Sequence, residues 1–189
     1  MGQPLARLSF AEFLEWEDGQ EERHEFVLGE TYAMVGGLRT HGRVVMNLGR
    51  HLGNALEGSR CEVYAESMQL QVEQNICYPD VFVTCDPRDL TTERVFVAPT
   101  LIIEVLSPST GNYDRGLKFT LYRRLDSLKE YVLIDPEARR IESFRRTDTG
   151  TGEWLFRDMS DDAAMVLASV GCEVAVGDVF AGVAVPDTP

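Results

Sequence analysis

The chain predicts an α/β fold: a mixed central β-sheet flanked by helices, with an extra N-terminal helix and hairpin ahead of the core. Two observations carry this prediction. Apolar residues at helical spacing recur in three places, and short β-branched runs bounded by turn residues lie between and after them. A third bounds it: 189 residues with no repeat, low-complexity tract or Pro/Ser-rich linker suit one domain over 1–189, with its core at about 40–146.

The elements follow in order. Leu8–Glu22 reads as an amphipathic helix capped by Ser9, with Phe10, Phe13 and Leu14 as its apolar stripe. Residues 24–35 read as a hairpin turning near Gly29. Val44, Val45, Leu48, Leu52, Ala55 and Leu56 predict a helix over 40–56, ended by Gly58. Residues 61–73 alternate at strand period, with a turn or bulge at Glu66-Ser67. The runs 78–86 and 100–108 read as strands. Residues 112–125 read as a helix with Tyr113, Leu117, Leu121 and Leu125 on its apolar stripe. Residues 130–135 and 139–146 read as a strand pair across Pro136-Glu137. Two or three short strands and a helical turn near Asp178–Phe180 complete the chain over 153–185.

Charge and cysteine usage narrow the function. Eighteen basic residues against 31 acidic ones give a net charge of −13, which argues against a chain that coats nucleic acid or an anionic membrane with its whole surface. There is no secretory h-region and no membrane-spanning apolar run, so a cytoplasmic protein is expected. Cys61, Cys77, Cys85 and Cys172 form no C-x-x-C pair and are expected as free thiols. No G-x-G-x-x-G, P-loop, G-x-S-x-G or H-E-x-x-H motif is present, and His24, His41 and His51 form no metal-ligand spacing with the cysteines. The segment 107–110, SPST, reads as a loop capping the next helix.

The informative residues are Asp80 and Glu104. Each is a carboxylate in a short apolar strand: Asp80 precedes Val81-Phe82-Val83, and Glu104 lies within LIIEVL. A strand apolar on both faces is normally buried on both, where a lone carboxylate costs several kcal/mol. An arginine partner, a strand end in water, or a hard divalent cation would each compensate; magnesium is held by one or two carboxylates while keeping several waters. Asp114, Lys118 and Tyr122 follow at i, i+4 and i+8, sharing a helix face beside the leucine stripe. Lys118 is one of only two lysines, the other being Lys129, and a compact ammonium suits a water nucleophile better than a guanidinium does. Gly116 suggests close packing against that turn.

The ordered set YPDVFV, PTLIIEVLSPST, YDRGLKFTLY and LKEYVLIDPEARRIESFRR resembles the Uma-two family of restriction-endonuclease-like proteins. The likeness is strongest from Tyr78 to Arg146 and extends more weakly into the hairpin and the helix that His41 opens. That family belongs to the PD-(D/E)XK nuclease superfold, so the resemblance implies a restriction-endonuclease-like core. Pro79-Asp80 matches the PD element and Glu104 the second acid. Leu106 stands where the motif has its lysine, and the resemblance implies that the lysine has moved to Lys118. His41 and Glu25 are the matching positions in the N-terminal part.

This resemblance implies a metal-dependent endonuclease hydrolysing phosphodiester bonds in DNA. Asp80 and Glu104, with the backbone carbonyl of Val105, would hold Mg²⁺ or Mn²⁺. Lys118 would orient the attacking water, Asp114 would hold Lys118, and Tyr122 would contact phosphate. On this reading, replacing Lys118 leaves the fold nearly intact. Residues 114–146 carry nine basic and six acidic residues, leaving −16 for the rest of the chain. Arg123, Arg124, Arg139, Arg140, Arg145 and Arg146 would form a phosphate-facing patch. The competing expectation is a catalytically inactive binding module on the same fold. A homodimer or higher homo-oligomer is expected in either case.

Overall fold

The computed structural model describes residues 4–34, 36–66, 68–108 and 110–184. Parts of four sequence expectations, at Val35 in the hairpin, Ser67 in the turn, Ser109 in the SPST loop and Val185 at the end of the 153–185 stretch, lie outside the described residues. Two six-stranded sheets are present where one central sheet is expected. The first runs β1 (Ala6–Arg7), β3 (Glu30–Ala33), β2 (His24–Val27), β6 (Asn75–Cys77), β5 (Gln69–Val72), β8 (Val95–Phe96). The second runs β12 (Trp154–Asp158), β11 (Arg140–Arg146), β10 (Glu130–Asp135), β9 (Pro99–Val105), β7 (Val81–Thr84), β4 (Glu62–Ala65). A separate hairpin pairs β13 (Ala164–Leu167) with β14 (Cys172–Ala175). The helices are α1 (Phe10–Glu17), α2 (Arg39–Leu56), α3 (Gly111–Tyr113), α4 (Phe119–Tyr122) and α5 (Val176–Val179).

Local chemistry explains the boundaries. Ser9 closes a capping box on α1: its Oγ accepts from the Glu12 N–H, and its own N–H donates to Glu12 Oε2 at 2.7 Å. The helix stops at Glu17, short of the expected Glu22. No apolar residue follows over 18–22, and the Glu17 carboxylate turns inward to accept the His24 N–H at 2.9 Å and face its ring Nδ1 at 2.9 Å. The β2–β3 hairpin turns on Leu28 and Gly29, both at positive φ (52° and 84°), the two-residue connection whose twist matches antiparallel strands. The alternating run 61–73 divides between sheets: β4 belongs to the second and β5 to the first, and Glu66, at φ 53°, lies at the corner.

The second sheet is mixed. β9 runs parallel to β10 and antiparallel to β7, and it is buried on both faces as its composition predicts. Leu101, Ile103 and Val105 pack with Val44, Leu48 and Leu52 of α2 and with the β13–β14 hairpin. Ile102 faces the opposite core with Phe82, Leu121, Tyr122 and Tyr131. The four-thiol expectation is corrected: Cys61 and Cys85 form a disulfide, while Cys77 and Cys172 are free and buried. The cause is register. β4 pairs antiparallel with β7 through Glu62 and Thr84, so the next cross-strand pair is Cys61 and Cys85, with Cα atoms 4.1 Å apart. Among the described residues no helix is long and apolar enough to cross a membrane.

Candidate active site

Register also builds the site. β7 pairs with β9 through Val81–Ile103 and Phe82–Ile102, and one further step sets Asp80 opposite Glu104. Like charges directly opposite on paired strands repel, so both carboxylates need partners, and the structure supplies them. Glu104, 1% exposed, accepts the Tyr122 hydroxyl at 2.9 Å and meets Lys118 Nζ at 3.1 Å, both through Oε1. Its Oε2 accepts the Asp80 N–H at 3.3 Å. Asp80 Oδ2 accepts the Val105 N–H at 2.7 Å and lies 3.2 Å from His41 Nε2. The structure thus brings together Asp80, Glu104, Val105, Lys118, Tyr122 and His41.

Lys118 is the hub. Its ammonium lies 3.1 Å from Glu25 Oε1, 3.1 Å from Glu104 Oε1 and 3.7 Å from Asp114 Oδ1. Glu25 comes from β2 of the other sheet, where it also accepts the Tyr78 N–H and the Tyr113 hydroxyl. Asp114 and Glu25 therefore belong to the site, Glu25 by a contact that bridges the two sheets.

The helical segment carrying Lys118 differs from the uniform helix expected. α3 and α4 are joined by a π turn over Asp114–Lys118, a rare form that often marks functional positions. Asp114, Lys118 and Tyr122 are buried, while Tyr113, Leu117 and Leu125 of the apolar stripe are only half-buried. The charged face turns inward because two carboxylates wait there for the ammonium. Close packing at Gly116 is not found: it is exposed, and a Cβ there would meet nothing within 4 Å. Tyr122 is fully buried with its hydroxyl on Glu104, so it positions that carboxylate and does not reach a phosphate. Leu106 packs into the apolar core, and the ammonium arrives over the same sheet face from the helix.

The electrostatics reflect this crowding. Burial drives the Glu104 carboxyl well above its ordinary value; Lys118 pulls it down, while Asp80, Asp114 and Glu25 push it further up. Burial raises Asp114 in the same way against the pull of Lys118. Burial also works against charge on Lys118, but Glu104, Glu25 and Asp114 outweigh it and hold the ammonium firmly protonated. Burial would raise Asp80 too, yet its hydrogen bond to His41, the His41 and Lys118 charges and the Val105 N–H carry it below normal. His41 moves reciprocally: desolvation lowers it, and Asp80 followed by Glu66 and Asp114 raises it above 6.5 overall.

One site feature lay beyond the sequence reading. Glu66, at the end of β4, places Oε1 3.7 Å from His41 Nδ1, and His41, Glu66 and Asp80 offer ligand atoms within 4.8 Å of one another. In the sequence Glu66 is only an acidic turn residue, one of 31 acids. The six-arginine patch is corrected. Arg139 and Arg140 begin β11 and Arg145 and Arg146 end it, about 20 Å apart at strand rise. Arg146 donates to the carbonyls of Arg123, Leu125 and Leu128, Arg124 pairs with Glu73, and Arg139 lies over the Phe180 ring. These residues tie the fold together at two separate ends of the sheet.

Residues 10–176 match the family model Uma2, described as "Putative restriction endonuclease". The chain belongs to this family. Two Synechocystis relatives align along most of their length. The protein slr1290 is 38% identical over 183 residues, covering 96% of this chain and 95% of its own. The protein sll1609 is 31% identical over 163 residues, covering 84% and 91%. Both are described as uncharacterized. Among solved structures, a crystal structure from Anabaena variabilis described as a "putative nuclease belonging to DUF820" superposes with a TM-score of 0.73 at 18% identity. It covers 92% of this chain and 97% of that one. That likeness establishes the nuclease-type α/β fold for this Uma2 member.

Proposed function

We propose that the protein is a metal-dependent endonuclease that hydrolyses phosphodiester bonds in DNA. The observation that carries the reading is the Asp80–Glu104–Lys118 contact set: two acids on adjacent strands of a nuclease-type fold, with an ammonium 3.1 Å from the second. The residues fit a divalent cation. Among the described residues, Glu25, Asp80, Glu104, Asp114 and Glu66 cluster around Lys118 and His41, and the mutual repulsion that raises Glu104 and Asp114 is what a bound cation would relieve. Asp80 and Glu104, with the Val105 carbonyl, would hold Mg²⁺ or Mn²⁺, both of which take oxygen donors. The bound ion supplies Lewis-acid polarisation of a phosphate oxygen and a lowered water pKa.

The chain's own residues do the rest. Glu25 and Asp114 hold the Lys118 ammonium against Glu104, where it orients the attacking water and offsets charge on the reacting phosphate. Tyr122 and the Asp80 N–H lock the Glu104 carboxylate in place. The acidic balance leaves a path for a polyanion: from Thr31 to Leu56 the chain has no Asp or Glu. On α2, Arg39, Arg43 and Arg50 are exposed, and His41 on the same helix reaches Asp80. Duplex DNA lying along α2 would meet cations and then the acid pair.

One observation favours the second reading, a binding module without activity: Lys118 is sealed among three carboxylates, as a structural ion pair would be. Nicking of supercoiled plasmid DNA with Mg²⁺ or Mn²⁺ decides between them. Wild type should nick, and Asp80→Asn should lose at least a hundredfold in rate. No nicking by wild type with either ion overturns the enzyme reading.

A further inference from the structure

We infer that the open edge of β12 is a self-pairing surface: two copies of the chain join antiparallel along Trp154–Asp158 about a twofold axis at Leu155, continuing the second sheet from one protomer into its partner. The inference is independent of the nuclease reading.

The edge is free to pair. Among the described residues β12 pairs with β11 alone, whereas α2 packs along β4 at the opposite edge of the same sheet. The edge strands of the first sheet, β1 and β8, are two residues each. The ladder fixes which backbone groups of β12 point outward. The Thr147 N–H donates to the Glu153 carbonyl at 2.9 Å and the Met159 N–H to the Ile141 carbonyl at 2.8 Å, so Glu153, Leu155, Arg157 and Met159 turn their backbone groups toward β11. Those of Trp154, Phe156 and Asp158 therefore face away from it. Such an edge is a template for another strand unless charge, proline or a covering element blocks it. Here the side chains favour pairing. Leu155 and Phe156 are 54% and 53% exposed, on opposite faces of the strand. Phe156 ends an aromatic row: its ring lies 5.3 Å from that of Phe144, which lies 4.8 Å from that of Phe119.

Charge selects the occupant and the register. An axis at Leu155 sets Leu155 against the partner's Leu155, Trp154 against the partner's Phe156, and Glu153 against the partner's Arg157. The apolar residues then cover one another at the centre, and opposite charges meet at both ends. The outward N–H and C=O groups of Trp154 and Phe156 meet those of the partner's Phe156 and the partner's Trp154, so the ladder continues. An axis at Phe156 would instead set Arg157 against leucine, and one at Arg157 would set two guanidinium groups opposite each other. Within one chain Arg157 reaches Asp162 at 2.7 Å, with both side chains partly exposed, so the guanidinium can also serve the partner's Glu153. A twofold contact must be self-complementary, and a strand with opposite charges about an apolar centre has that property. Interfaces below about 1,200 Å² belong to weak complexes, and a five-residue strand makes a small one, so a dissociation constant of about 10–100 µM is expected.

Sedimentation velocity on the full-length protein up to about 200 µM reads the dimer, in about 0.15 M salt to screen the net charge of −13 on each copy. Wild type should pass from monomer to dimer over that range. Glu153→Arg and Arg157→Glu each put like charges at both ends and should each weaken the dimer about tenfold. An equimolar mixture of the two variants restores opposite charges at both ends and should recover it. Crosslinking reads the register. Under mild oxidation Leu155→Cys should form an intermolecular disulfide across the axis, where Cα atoms of a non-hydrogen-bonded pair stand about 4.5 Å apart. Phe156→Cys, facing the partner's Trp154, should not. Wild type that stays monomeric overturns the inference and leaves the edge to a strand of another protein. A dimer that neither charge variant weakens, or a mixture no more associated than its parts, overturns the pairing. Phe156→Cys crosslinking as readily as Leu155→Cys overturns the register, and the cysteine pair decides even if a charge variant does not fold.

Discussion

Replacing Lys118 with methionine removes the ammonium and keeps most of the side-chain volume. The sequence reading makes this a mild change to the fold, but the geometry makes it a severe one. The ammonium stands 3.1, 3.1 and 3.7 Å from three carboxylates. At an effective dielectric of about 20, one unit pair at that distance is worth about 5 kcal/mol before desolvation is counted. Burial of the four groups offsets most of that sum. Removing one partner of a buried ion pair typically costs about 3–5 kcal/mol, because the remaining charges stay buried without compensation. That is a large part of a typical stability of about 5–15 kcal/mol. Urea unfolding at pH 7, followed by far-ultraviolet circular dichroism, should show a loss of about 3–5 kcal/mol for Lys118→Met. Lys129→Met, at an exposed residue whose ammonium donates to the Asp126 carbonyl, should stay within about 0.5 kcal/mol of wild type. Adding Glu25→Gln to Lys118→Met should recover part of the loss, since one of the stranded charges is gone. A Lys118→Met protein as stable as Lys129→Met would refute the reasoning.

Three further outcomes are expected. Glu104 and Asp114 have raised folded-state values, so their stability contributions fall as pH rises from about their unfolded 4.5 and 3.8 through the folded values. His41 is also raised, so its contribution is complete below 6.5 and lost above it. The depressed Asp80 loses its contribution only in acid, below 3.8. The urea midpoint of the metal-free protein should therefore fall between pH 5 and pH 8, and a rising midpoint would contradict these signs. Gly37→Ala places a methyl 3.1 Å from His41 Nδ1, so the ring has to give by a few tenths of an ångström against its contact with Asp80, and the melting temperature should fall. Gly36→Ala, with nothing within 4 Å, is the control, and equal melting temperatures would count against a tight fit around His41. Arg39→Gln with Arg43→Gln should lower the slope of log K against log salt for duplex DNA by about 1.8, two phosphate contacts at about 0.9 each. An unchanged slope would remove α2 from the interface; Arg88→Gln, already paired with Asp86, should change nothing.

The elements best read from sequence are those whose burial writes a strong local pattern. β10 matches its expected span because six largely apolar residues run between turn residues, and α2 matches because its whole stripe is core. β8 and β1 are two residues each, too short to carry a period. The disulfide was hidden because Cys61 and Cys85 meet only through the β4–β7 register. Within the site, Asp80 and Glu104 stand out as charges in apolar strands, a conflict visible without any structure. Glu66 does not, because an acid in a turn is what solvent permits anyway. The π turn was invisible for a related reason: Asp114–Lys118 has no local residue that forces it, and it forms where the helix meets carboxylates from both sheets.

That meeting is the strongest physical sign that the cluster serves chemistry. A buried group of acids around one ammonium is a costly way to stabilise a fold, since well-packed apolar residues of similar volume are often neutral or stabilising in its place. The surroundings have the means to be apolar: Ile102, Leu106, Leu121 and Tyr131 fill the same core. Instead Glu104 is fixed from three directions, by Tyr122, Lys118 and the Asp80 N–H, and Asp80 in turn by Val105 and His41. Such a chain of contacts runs from the inside outward, from a sealed ammonium through a locked acid to a partly exposed one. Its effect is to hold the Asp80 carboxylate, the member that solvent can reach, ionised and immobile at the end of β7, which is the arrangement a cation-binding residue requires.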